Sequence, residues 1–348
     1  MNTDGHRLDS ACESEQRDNP KRNHHVLPKL YLKGFVTKKD EPYIWVYQRN
    51  QSYNPGGNRY NHRDKTEKNP YLDTISNAGA ELDFFADPQK DGSVDFETFE
   101  NILESLEKPA NTIFQKLRAH QPITVEEKCI FSRYIILMQT RVWAGREQIK
   151  ESLPKTIADS APSKDFFQKT NFTDTPELRA KWKEKSEELG GEPAHHIKMH
   201  NRIAAIAPDS FRVKALQQMT WTFYVAPDNR AFFTGDNPVF IPKNNGLGKN
   251  NSELSFPIST DVALIASWDR SRKEGFEEAK SQIVKEINHR TVSRASKIYF
   301  SQNYDWVVTM LDKGDYGWRP VFSPKSVYTV AELVKDTPDS EPYLKISI

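Results

Sequence analysis

The apolar residues of this chain follow two spacings. Phe96, Phe99, Ile102, Leu103, Leu106, Ile113, Phe114 and Leu117 recur at three- and four-residue steps, the mark of one buried helical face. Thr124 and Glu127 then form a capping box that opens a second, stronger helix running to about Lys150, with Ile130, Tyr134, Leu137, Met138 and Arg141 on a shared face. From Thr220 the period falls to two. Trp221 to Val225, Arg230 to Thr234, Val239 to Ile241, Leu254 to Pro257 and Val262 to Trp268 read as strands separated by Pro-Asp-Asn and Gly-Asp-Asn-Pro turns. A helix is predicted from about Glu277 to Ser296, with Ile283, Ile287 and Val292 inward. Strands follow at Ile298 to Phe300 and Trp306 to Val308.

Before the helices, Val26, Leu27, Leu30, Tyr31 and Phe35 predict a short amphipathic helix starting near His24, with Pro28 tolerated in its first turn. Tyr43 to Tyr47 is an aromatic and β-branched run, hence a strand. Gln51 to Pro70 carries Pro55-Gly56-Gly57 and many Asn, which predicts a long loop or insertion. Residues 152–193 are charged and broken by Pro154, Pro162, Pro176 and Gly190-Gly191. The order is helix and strand, a helical middle, then a strand-rich end. That segregation predicts an α+β fold, its helical middle packed on a mostly antiparallel sheet built chiefly from the C-terminal third. Residues 1–22 lack large apolar side chains and predict a disordered arm; residues 23–348 are expected to form a single α+β domain with a helical insertion near 152–215.

Composition narrows the class. Hydrophobic residues are 36% of the 348, charged residues 28%, and the formal net charge is +1, so no global pull toward nucleic acid or anionic membrane exists, although a local basic groove stays open. Of the two cysteines, Cys12 lies in the polar tail and Cys129 in a helical pattern, which fits a reducing compartment. No apolar run reaches the roughly 18–20 residues a bilayer span needs, and residues 1–23 have no apolar signal core. A cytoplasmic protein without a membrane segment is the expectation.

Several motifs then occur in a fixed order. His24-His25-Val26-Leu27-Pro28-Lys29-Leu30-Tyr31-Leu32-Lys33-Gly34-Phe35 opens the series, followed by Ile44-Trp45-Val46-Tyr47 and Glu81-Leu82-Asp83-Phe84-Phe85. The helix from Thr124 to Arg141, Thr234-Gly235-Asp236-Asn237-Pro238-Val239, Ser255-Phe256-Pro257-Ile258-Ser259-Thr260-Asp261 and Glu286-Ile287-Asn288 complete it. This collinear set resembles the bacterial domain-of-unknown-function family 4238 over about His24 to Phe300. Gly235 stands where that family usually has Ser, and Thr260 where it usually has Pro. The resemblance sharpens the site and implies no particular reaction.

Candidate chemistry rests on polar residues of these motifs. His24 and His25 would point about 100° apart on a helix, so one can face a pocket as general base or metal ligand, or else simply bond to backbone. Asp236, held in a turn, is a ligand or an orienting acceptor, or ordinary turn chemistry. Glu81 and Asp83, two apart, would project from one face of a strand, as cation ligands or as solvated acids. Arg141, on the apolar face of its helix, needs a partner, with Asp83, Asp236, a phosphate or a purely structural ion pair as the candidates; Lys33 is an anion contact or, equally, structural. His196 and His200 share i, i+4 spacing beside His195 but lack a metalloprotease glutamate, so they read as surface. No Gly-rich phosphate loop, nucleophile elbow or paired-cysteine metal site is present.

Two functional classes fit. One is a metal-assisted hydrolase of phosphodiesters, nuclease-like and acting on nucleic acid. His24, His25, Asp236, Arg141 and Lys33 would be catalytic there, and His25, Glu81, Asp83 and Asp236 would hold magnesium or manganese. The other is a non-catalytic sensor or interaction module, as in bacterial stress or phage defence, whose polar motifs knit the helical and strand halves together.

Overall fold

The computed structural model describes residues 23–37, 42–48, 70–88, 93–145, 206–242 and 246–301, with a few positions between 175 and 184. The arm before Asn23, the Gln51 to Pro70 loop except Pro70 itself, most of the 152–193 stretch, the histidines at 195, 196 and 200, and the Trp306 strand lie outside them.

The twin histidines enter as a strand, β1 (Asn23–His25), where the spacing predicted a helix. Pro28 explains the correction: it restricts Leu27 to extended backbone, so the helix α1 (Lys29–Leu32) starts only after Pro28, itself extended at φ −61°, ψ 140°. A 3-10 turn (Lys33–Phe35) continues it. Next come β2 (Tyr43–Gln48), β3 (Tyr71–Thr74), the one-turn helix α2 (Ile75–Ala78), β4 (Ala80–Leu82), and a small ribbon of β5 (Asp87–Pro88) and β6 (Val94–Asp95). β1 pairs antiparallel with β4, His24 opposite Glu81.

Two long helices form the middle. In α3 (Thr98–Arg118), Asp95 Oδ1 accepts the Glu97 and Thr98 N–H groups at 2.8 and 3.0 Å, satisfying free donors at the helix start. The helix α4 (Val125–Arg141) has the expected capping box: Glu127 N–H donates to Thr124 Oγ1, and Thr124 N–H to Glu127 Oε2 at 2.9 Å. It ends at Arg141, where Val142 is extended; helix resumes over residues 143–145, and the remainder of the predicted run to Lys150 lies outside the described residues. Phe131, Ile135 and Ile136 are buried alongside the predicted Tyr134, Leu137, Met138 and Arg141. A helix enclosed on most sides shows little amphipathic contrast.

After α5 (Phe211–Gln218), the strand-rich part holds β7 (Thr220–Val225), β8 (Thr234–Gly235), β9 (Glu253–Pro257), β10 (Val262–Ser267), β11 (Gly275–Glu278), α6 (Ser281–Arg294) and β12 (Lys297–Phe300). Two four-stranded sheets result, β11-β7-β10-β9 and β3-β2-β12-β8. Among the described strands only β11 with β7 is parallel. The fold is α+β, with the strands largely C-terminal, as expected. Its second sheet departs from a purely C-terminal one, since β2 and β3 join β12 and β8 there. The predicted Arg230 to Thr234 strand shrinks to β8, and Val239 to Ile241 to a single bridge between Phe240 and Ser255. Ile287 and Val292 of α6 are buried as read, Ile283 partly so.

The main core draws on both halves: Tyr31, Phe35, Phe114, Phe131, Tyr134, Phe256 and Tyr299 belong to one buried cluster. Two motif glycines are needed where backbones approach closely. A Cβ on Gly34 would stand 2.6 Å from the Ile258 carbonyl; one on Gly235 would be driven into the Ala295 methyl, 3.0 Å from the Lys297 carbonyl. Among the described residues no helix is long and apolar enough to cross a membrane.

Candidate functional site

The motifs meet first at Tyr31. Pro28 and α1 turn this side chain inward, where it is fully buried and stacks on Phe256 at 5.2 Å between ring centroids. Its hydroxyl donates to the Pro257 carbonyl at 3.0 Å and shares a 2.6 Å hydrogen bond with Thr234 Oγ1. One phenol thus touches the Gly-Asp-Asn-Pro corner and the Phe-Pro-Ile element together. Burial pushes it far above the usual phenol range, so it remains a neutral donor. Arg118, which the sequence reading missed, reinforces this joint. Its Nη2 donates to the carbonyls of Leu30 at 3.0 Å, Tyr31 at 3.1 Å and Ile258 at 3.4 Å, while Thr260 N–H donates to the Gly34 carbonyl at 3.0 Å. Burial lowers Arg118 to about 10. Its position at the polar end of an amphipathic helix resembles that of any surface arginine, so no sequence signal separates it.

A second neighbourhood surrounds Asp236. β8 and β12 fix it: its N–H donates to the Lys297 carbonyl at 3.0 Å and its Oδ1 accepts Ser296 N–H at 2.9 Å. Burial pushes this carboxyl up to about 6, against the pull of Lys297 and the two backbone bonds, and Glu81 adds repulsion. Tyr299, whose hydroxyl donates to the Ala78 carbonyl at 2.7 Å, is raised by burial and then by Asp236, Tyr71, Glu81 and Asp73. Glu81, the strand partner of His24, therefore comes within electrostatic reach of the Gly-Asp-Asn-Pro corner.

A third cluster lies where β1 crosses α3 and α4. Arg141 is 1% exposed. Its Nη1 meets Glu107 and its Nη2 the His25 carbonyl, each at 2.5 Å, and its Cζ sits 5.7 Å from the Phe85 ring centre. The ion-pair partner is therefore Glu107 and not Asp83 or Asp236, the structural pair among the sequence alternatives, because α3 and α4 pack side by side. Burial, then Lys29 and Arg141, lower His25 to about 4, so its ring is neutral at pH 7. Burial likewise raises Glu100 against the pull of Arg141.

The remaining candidates scatter. His24 is buried with its Nδ1 accepting Phe85 N–H at 2.7 Å, which puts the neutral ring's proton on Nε2. Because the pair is a strand, His24 and His25 point to opposite faces, not about 100° apart. Asp83 follows β4 in a turn at φ 56°, so it does not share a strand face with Glu81. Lys33 is exposed on the 3-10 turn. Among the described residues no three His, Cys, Asp or Glu side chains are grouped to hold a metal ion, so His25, Glu81, Asp83 and Asp236 do not form a ready cage there.

Comparison with known proteins adds one finding. Neither the curated proteins nor the solved structures provide a match. A family signature does: it covers residues 23–305, from β1 through β12, and therefore every motif that converges on Tyr31, Asp236 and Arg141. The chain belongs to the family described as "Protein of unknown function (DUF4238)".

Proposed function

We propose that this protein works as a binding module, a sensor or interaction protein, in which the family motifs build the joint between the helical and strand halves. One observation carries the reading: the Tyr31 hydroxyl, buried and bonded to Thr234 and Pro257, uses motif polarity to close the core. Arg118 spends its guanidinium on three backbone carbonyls in the same place. Groups committed in this way stabilise a fold and are not poised to move protons. Cys129 is a free thiol, which suits a cytoplasmic setting.

Metal-assisted phosphodiester hydrolysis is the second reading. Its support is Asp236, a carboxyl that burial holds at about 6 despite the pull of Lys297, within electrostatic reach of Glu81. Incubating the purified chain with labelled DNA and RNA, with and without manganese, separates the two. The module reading expects no cleavage above buffer. Manganese-dependent cleavage that disappears in a His25→Ala, Asp236→Ala double variant would establish the hydrolase instead.

A further inference from the structure

We draw no further inference here: the strongest candidate, the outward face of β2 and β3 on which the exposed Tyr43 and Leu72 lie beside the half-buried Trp45, carries none because nothing in the structure shows what covers it.

Discussion

Tyr31 and Thr234 lie 203 positions apart in sequence and share a 2.6 Å hydrogen bond in the core. Each belongs to a different family motif, and the Pro257 carbonyl of a third completes the set. The arrangement explains an otherwise odd combination, a polar aromatic and a threonine both fully enclosed. A buried hydroxyl with two partners specifies a register: a slipped β8 or a rotated α1 would leave all three groups unsatisfied.

Tyr31→Phe keeps the ring stack on Phe256 but removes the hydroxyl. The Thr234 hydroxyl and the Pro257 carbonyl are then left buried, at an expected cost of about 1–3 kcal/mol. Chemical denaturation reads this directly. A loss below about 0.5 kcal/mol would put the joint's stability elsewhere, in the ordinary range of a surface substitution.

Arg118→Lys replaces a planar fork by a single ammonium in the same joint. One ammonium cannot reach the Leu30, Tyr31 and Ile258 carbonyls with the same geometry, so a loss of about 1–3 kcal/mol is expected. Equal stability of the two proteins in urea would contradict this.

Asp236 has a pH signature of definite sign. Its folded value, about 6, lies above the ordinary 3.8, so its contribution favours the fold below pH 3.8 and is lost as pH rises through 6. Asp236→Asn is expected to be more stable than the parent at pH 7 by about 1–2 kcal/mol, discounted for the solvent that reaches a half-buried carboxyl. Melting curves of both proteins from pH 3.5 to 7.5 should converge at the acid end. Parallel curves would remove Asp236 as the titrating group.

His25 acts in the opposite sense. Its folded value, about 4, lies below 6.5, so its contribution is present above pH 6.5 and lost as pH falls through 4. Protonation would place a charge beside Lys29 and Arg141. His25→Gln is expected to flatten the acid side of the stability profile and leave neutral pH nearly unchanged. An acid limb as steep as the parent's would point to another group.

The strongest sequence signals were local ones. The Thr124-Glu127 capping box, the α3 periodicity and the Trp221 to Val225 and Val262 to Trp268 strands are visible because side-chain repeat and end chemistry are set by nearest neighbours. The histidine segment shows the limit of that logic. Val26, Leu27, Leu30 and Tyr31 have helical spacing, but Pro28 constrains Leu27, and β4 offers β1 a ladder that spacing does not reveal.

By itself, then, the sequence determined the class of fold, most of the elements and the polar residues of interest, because these follow from periodicity, turn chemistry and motif order. The tertiary structure alone decided who meets whom: Arg141 with Glu107, Tyr31 with Thr234, and Tyr299 with the Ala78 carbonyl. Those pairings depend on which helix faces and strand edges come together. Contacts separated by a hundred or more positions leave no repeat in a single chain, and a half-buried arginine such as Arg118 has the same local pattern as an exposed one.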